Sequence, residues 1–159
     1  MTTVVSTTDE SRDLEALYRD DGDRLWRALL AFAGDPEVAS DAVAEAYAQA
    51  IRRGDAIRDR KAWIWRAGFR IAGGELKRRS WTTDRMPDVG YLNEEVDADL
   101  LDALAKLPQK QRAVVVLFYY ADASVREIAA RIGISQLSVR VHLSRGRSRL
   151  KALLGDDDG

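Results

Sequence analysis

The chain contains no cysteine, one histidine and only three prolines among its 159 residues. Without cysteine there is no disulfide and no thiolate ligand, and a single imidazole leaves little from which to build a metal site or an acid–base pair. The carboxylates show no paired arrangement either, so the sequence predicts a protein with no metal, no other cofactor and no catalytic site, not an enzyme. Apolar runs never reach the roughly 18 residues of a membrane span. The start, MTTVVSTTDESRD, has neither the basic beginning nor the apolar stretch of a signal peptide. The expectation is a cytoplasmic protein with no membrane insertion.

What is present is charge, distributed unevenly. A formal net charge of −1 and 46% hydrophobic residues suit one ordinary core or two small ones. Counted in blocks, residues 1–51 carry 4 basic and 11 acidic side chains and residues 52–79 carry 10 and 3. Residues 80–105 return to 1 basic and 7 acidic, and residues 106–151 swing back to 10 and 2. Two cationic blocks separated by an acidic one imply two polyanion-binding surfaces on one chain.

The hydrophobic period is helical almost throughout, and no alternating strand pattern competes. Residues 1–13 are polar and expected to be disordered. Leu14, Leu17, Leu25, Leu29 and Phe32 mark a first helical stretch, with a break expected near Asp21 and Gly22 and an end at Gly34. Asp35-Pro36 supplies an N-cap and an N1 proline for a second helix, whose apolar face is Val38, Ala42, Val43, Ala46 and Ala50. A third runs from about Asp59 to Ser80, with Trp63, Ala67, Ile71 and Leu76 placed inward. Residues 81–96, with Pro87, Gly90 and several acids, read as a linker. A short helix over Asp97–Lys106 is ended by Leu107-Pro108, and another begins at Gln109. The fold class expected is therefore all-α: a domain over 14–80 and a second over 97–154, joined by an acidic linker, with an acidic tail at 155–159.

The most specific segment is SVREIAARIGISQLSVRVHLSRGRSRL. Ser124 and Glu127 form a capping box, Gly133 sits where the chain must turn sharply, and Ser135 is placed to cap the next helix. Val139, Leu143, Gly146 and Leu150 then face inward. Gln136, Ser138, Arg140, Val141, Ser144 and Arg145 are left on other faces, a polar and cationic surface of the size a major groove admits. This is the pattern of a DNA-reading helix-turn-helix.

Taken together, the modules resemble the sigma factors of bacterial RNA polymerase, in particular the small two-domain extracytoplasmic-function group. The likeness is strongest in LPQKQRAVVVLFYYADASVREIAARIGISQLSVRVHLSRGRSRLKALL, where Leu107, Pro108, Gln111 and Arg112 set it apart from a generic helix-turn-helix. That segment is similar to the sigma domain that reads the minus-thirty-five promoter element and docks on the polymerase β flap. LEALYRDDGDRLWRALLAFAGDPEVASDAVAEAY followed by KAWIWRAGFRIAGGELKRR resembles the domain that binds the β′ clamp helices and melts the minus-ten element.

The resemblance implies core RNA polymerase, promoter DNA and an anti-sigma factor as partners. Asp41, Glu45 and Gln49, on one face of the second helix, are the expected polymerase contacts. Arg58, Arg60, Lys61, Trp65, Arg66, Arg70, Lys77, Arg78 and Arg79 are the expected minus-ten contacts, with Trp65 rather than Trp63 offered to unstacked bases. In the second module Gln136, Ser138 and Arg140 are assigned to base reading, and Arg126, Arg145 and Arg147 to phosphates. Ser135 and His142 flank the same helix, His142 as a phosphate neighbour.

Four positions depart from the family pattern. Ala44 replaces a glutamine, Ile51 an aromatic, and Arg70 and Gly74 stand where Asn and Asp are common. Gly73-Gly74 also costs the third helix about 1 kcal/mol per glycine relative to alanine. The alternative reading is a helix-turn-helix regulator of the quorum-sensing (LuxR-like) type, which shares the EIA-x-x-x-GIS phrase and binds duplex DNA without polymerase. A helical scaffold that binds no nucleic acid is a third. The DPE-x-A-x-D-A-V-x-E-x-Y phrase and the Trp-rich basic helix discriminate, since they have no purpose in the regulator.

Overall fold

The computed structural model describes the backbone of residues 2–80 and 97–155 and the side chains of residues 12–79 and 97–155. The linker expected at 81–96 and all of the expected acidic tail except Gly155 lie outside the described residues. Among the described residues every regular element is helical. The order is α1 Thr2–Ala33, α2 Pro36–Arg53, a single 3-10 turn at Gly54–Ala56, α3 Arg60–Ser80, α4 Ala98–Ala105, α5 Gln109–Tyr120, α6 Val125–Ile132 and α7 Gln136–Leu153.

Most boundaries follow local chemistry. Asp35 caps α2 by accepting from the Glu37 N–H, and Pro36 takes the first helical position, where a missing N–H costs nothing. Asp59 accepts from the Ala62 N–H to start α3, and Asp97 accepts from the Asp99 N–H to start α4. Gly34 and Gly133 end their helices at φ 70° and 80°, the left-handed region that glycine occupies without a Cβ clash.

Helix α1 differs from expectation at both anticipated interruptions. It starts at Thr2, within the segment expected to be disordered, and passes through Asp21 and Gly22 unbroken. Extending an existing helix gains one hydrogen bond per residue fixed, whereas nucleating one is costly; the leading segment holds no Gly or Pro to stop it. Gly22 is buried, and a Cβ there would lie 3.2 Å from the Tyr18 ring.

In the first module α1, α2 and α3 pack on one another around Leu25, Leu29, Phe32, Val38, Ala42, Ala46, Ile64 and Trp65. The inward face of α3 is not the one expected. Ile64, Trp65, Ala67, Phe69 and Ala72 are buried, and Trp63, Ile71 and Leu76 are only partly so. Apolar or small residues fill so many positions between 62 and 72 that period alone does not choose a face; two contacts do. The Trp65 indole N–H donates to the buried Asp21 carboxylate at 2.7 Å, and Gly68 brings the helix so close to Leu29 that a Cβ would stand 3.2 Å from its Cδ1.

In the second module α7 crosses α5 at Gly146, where a Cβ would lie 2.6 Å from Val115 Cγ2. Helix α6 packs on α7 through Ile128, Val139 and Leu143. The modules also touch each other: α1 packs on α4 and α5, and α3 on α6. Their buried residues form one continuous cluster.

Gly146→Ala should destabilise the protein even though alanine is the better helix former by about 1 kcal/mol. Overpacking costs about 1–3 kcal/mol, so urea denaturation should show a lowered midpoint at unchanged slope. A raised midpoint would mean that the α5–α7 approach is not tight.

Candidate nucleic-acid interface

The helix-turn-helix is built from its caps. Ser124 Oγ accepts from the Glu127 N–H at 3.1 Å and Glu127 accepts from the Ser124 N–H at 3.0 Å, so the capping box closes in both directions. These bonds hold the Glu127 carboxyl below its ordinary pKa, the Ser124 backbone N–H first and its hydroxyl next. Ser135 Oγ accepts from the Ser138 N–H at 3.0 Å and also pairs with the Ser138 hydroxyl at 2.9 Å. Ser135 and Ser138 are thereby occupied in starting α7.

Buried Val139, Leu143 and Gly146 turn the opposite face of α7 to solvent. Gln136, Arg140 and Arg145 are exposed there, and Arg126 is exposed on α6. Arg147 lies differently: its guanidinium sits 5.1 Å from the Phe118 ring centroid and 5.3 Å from that of Tyr119, and its Nε donates to the Tyr119 hydroxyl at 2.5 Å. It is drawn toward α5. His142 is half-buried, with Nδ1 enclosed and unpartnered. Leu137, 70% exposed, and Val141, 37% exposed, stand on the solvent side of α7. Leu137 was missed in the sequence, although its place off the Val139–Leu143 stripe marks it. Such apolar groups contact thymine methyls in a major groove.

The cations of α3 divide into three sets. Arg66, Arg70 and Lys77 line one side of a cleft of about 400 Å³ between the modules, faced by Gln109, Lys110, Arg131 and Ile132. Arg58, Arg60 and Lys61 lie near the start of the helix, where Arg60 pairs with Asp13 at 3.5 Å and Lys61 with Asp21 at 3.7 Å. Arg78 and Arg79 are held within the module, Arg78 on Glu75 at 2.7 Å and Arg79 on both Glu75 and the α2 cap Asp35. Trp65, expected to face DNA, is 1% exposed. Its side chain belongs to the core because Asp21 satisfies its indole there, and it presents no ring to a base. Trp63 is the half-exposed one, with Arg53 over its ring at 5.5 Å.

On α2, Asp41 and Glu45 are exposed and Gln49 is half-exposed. Gln49 donates to Glu45 at 3.1 Å, Arg52 pairs with the same oxygen at 3.0 Å, and Arg70 of α3 donates to Gln49 Oε1 at 3.0 Å. The hydrogen bond from Gln49, and then that from Arg52, keeps the Glu45 carboxyl below its ordinary pKa. Asp41 stands apart from this chain of bonds.

Comparison with known proteins bears on what these surfaces serve. Residues 97–150 match the family model "Sigma-70, region 4". The ECF RNA polymerase sigma factor SigL of Mycobacterium tuberculosis is 30% identical over 151 residues, a match that covers 84% of each chain. This chain belongs to the extracytoplasmic-function sigma factors. The sigma factor's fold also matches that of RpoE from Bartonella quintana, solved in complex with the anti-sigma factor NepR. The TM-score there is 0.80 at 20% identity, covering 90% of this chain and 97% of that one. CnrH, solved with the cytosolic domain of CnrY, gives 0.77 at 25% identity, covering 98% and 96%. No described helix of the sigma factor is long and apolar enough to cross a membrane.

Two measurements test the capping chemistry of the sigma factor. Ser124→Ala should cost about 1 kcal/mol of stability. Because the folded pKa of Glu127 is lowered, its contribution is complete above the unfolded pKa and is lost as pH falls through the folded one. The stability gap between the native protein and Glu127→Gln should therefore shrink on acidification from about pH 6 to about pH 3. A gap that is constant with pH would contradict the box.

Proposed function

We propose that the sigma factor binds core RNA polymerase through Asp41 and Glu45 of α2, reads a minus-thirty-five element with α7, and engages the minus-ten element with the cations of α3. The observation that carries this reading is the coexistence on one chain of two separate cationic surfaces with an exposed acidic face on α2. A duplex-only regulator has no use for the second and third of these features.

In the second module Gln136 and Arg140 reach base edges, Leu137 and Val141 supply apolar contacts, and Arg126 and Arg145 meet phosphates. Ser135 and Ser138 set the start of α7. His142 packs at the rim, and Arg147 orients the α5–α7 corner. In the first module Arg66, Arg70 and Lys77 track the strand backbone, with Arg58 and Lys61 at the upstream end. Trp63 is the aromatic group available for stacking. The protein acts in the cytoplasm and has no catalytic chemistry of its own, since polymerase supplies that. An anti-sigma partner would act by covering one or more of these faces.

The test is run-off transcription from a genomic fragment library with reconstituted holoenzyme. Native protein should direct discrete polymerase-dependent transcripts, and Asp41→Arg/Glu45→Arg should lose them together with co-purification of core polymerase. Duplex binding by the free chain, with no polymerase association, would establish the regulator instead.

Base and phosphate roles separate on the promoters so found. Arg140→Ala should relax discrimination at one position by about 1–3 kcal/mol, whereas Arg145→Ala should weaken all sequences alike and flatten the salt dependence. Equal losses on every sequence in both variants would refute the division.

A further inference from the structure

The cleft between the modules has two kinds of lining. Its buried members are apolar: Phe32 of α1, Phe69 of α3 and Ala113 of α5, with the half-buried Ile132 of α6 beside them. Phe32 and Phe69 form a tilted aromatic pair with ring centroids 5.1 Å apart. Its outer members are cationic: Arg66, Arg70 and Lys77 of α3 and Lys110 of α5 are exposed, and Arg131 of α6 is half-buried. Among the described residues no carboxylate lines it.

This is an unfavourable gathering for an empty cleft. Arg70 is tied to the neutral Gln49, and Arg131 has Glu127 of its own helix at 3.6 Å. Like charges brought together from two modules repel unless an anion sits among them. The walls are nevertheless held together. Gln109 of α5 donates to the Gly73 carbonyl of α3 at 3.2 Å. Elsewhere along the junction Arg24 of α1 holds the Asp122 carboxylate at 2.7 Å and donates to the Tyr120 carbonyl at 3.3 Å.

Size and charge narrow the ligand. One phosphate group carries at most about two negative charges at neutral pH, so the five cations of the lining call for more than one phosphate. Three of them are arginines, whose planar forks match phosphate oxygens in pairs. A volume of about 400 Å³ lies toward the small end of the roughly 300–1,000 Å³ of ligand pockets, enough for one nucleotide. An inorganic oligophosphate would leave the phenylalanines and Ile132 unused.

We propose that this cleft binds a nucleoside polyphosphate, its phosphates on the cationic rim and its base against Phe32, Phe69 and Ile132. The site is composite. The first module supplies Arg66, Arg70 and the phenylalanines, the second Lys110, Arg131 and Ile132. Gly74 lines the cleft too, and a Cβ there would meet nothing within 4 Å. A larger side chain at this position takes up ligand space without striking the protein.

The test is isothermal titration calorimetry on the full-length chain in magnesium-free buffer, with ATP and GTP each compared with its monophosphate and with inorganic tripolyphosphate. One or both nucleoside triphosphates should bind one-to-one with Kd below about 1 mM. Binding should be at least about tenfold tighter than that of the monophosphate, which lacks the further charge-assisted bonds, and at least about tenfold tighter than that of tripolyphosphate, which lacks the base. Lys110→Glu and, separately, Gly74→Leu should each weaken it at least about tenfold. Both substitutions favour their helices, since leucine replaces glycine within α3 and an acidic group joins the first turn of α5; the thermal midpoint should not fall. Lys106→Glu, an exposed cation of the second module outside the lining, should leave binding unchanged.

A promoter strand, proposed above for Arg66, Arg70 and Lys77, is the other bearer of phosphates. A fluorescein-labelled single strand should weaken no more than about threefold on Lys110→Glu, as befits the loss of one phosphate neighbour. The proposal is overturned if neither nucleoside triphosphate binds, if tripolyphosphate binds as tightly as the nucleotide, or if Lys106→Glu weakens binding as much as Lys110→Glu. Equal losses of strand and nucleotide on Lys110→Glu would make the cleft a strand track and overturn it as well. None of these readouts involves polymerase, so they stand or fall apart from the sigma-factor reading.

Discussion

The rotational setting of α3 is the constraint on which the rest of the molecule depends, and one buried hydrogen bond fixes it. Asp21 and Trp65 meet in the core, where neither a carboxylate nor an indole N–H is tolerated unpaired. Satisfying both turns Trp65 inward, and Gly68 lets the helix settle against Leu29. Every cation of α3 then has its place. Arg66, Arg70 and Lys77 emerge toward α5 and α6, Arg79 folds back on Asp35 and Glu75, and Lys61 approaches the outer edge of Asp21. The same setting presents Gly73 to Gln109. A helix rotated by one position would lose the module contact and the cationic cleft together.

What was legible in the sequence is what short-range chemistry decides. The caps at Asp35, Ser124 and Ser135, the turn at Gly133 and the stripe Val139–Leu143–Gly146 all rest on residues within one or two helical turns, and each stands where the residue types place it. The burial of Trp63 and Trp65 came out reversed because the deciding partner, Asp21, lies 44 residues away. The N-terminal extension of α1 escaped notice because a polar segment without breakers gives no apolar period to read, yet can be carried by the helix that follows. Module packing was illegible for a similar reason. Arg24 and its partners at the end of α5 are separated by 96 and 98 positions, and like charges on the two facing helices suggest repulsion.

The cations illustrate how composition alone misleads. Two basic blocks invite the view that each arginine awaits a phosphate, but several are already engaged inside the fold. Arg78 and Arg79 hold carboxylates, Arg53, Arg112, Arg131 and Arg147 lie over aromatic rings, and Arg70 is tied to Gln49. The exposed ones among them, such as Arg78 on Glu75 and Arg70 on Gln49, are worth less than about 1 kcal/mol, so a polyanion can compete for them. Arg140 and Arg145 on α7 stand exposed beside Leu137 and Val141, the combination of charge and apolar surface that a major groove accepts. On α3, Arg66, Arg70 and Lys77 instead face Gln109, Lys110 and Arg131 across the cleft between the modules.

The measurement that reaches the centre of this account is site-specific photocrosslinking in a reconstituted holoenzyme on a promoter fragment, with the reactive group carried in turn at positions 66 and 140. The account requires adducts from position 140 on the upstream duplex and from position 66 on the strand about 25 base pairs downstream, the latter only when polymerase is present. Adducts from position 140 that form equally well without polymerase, with none from position 66 under any condition, would contradict it.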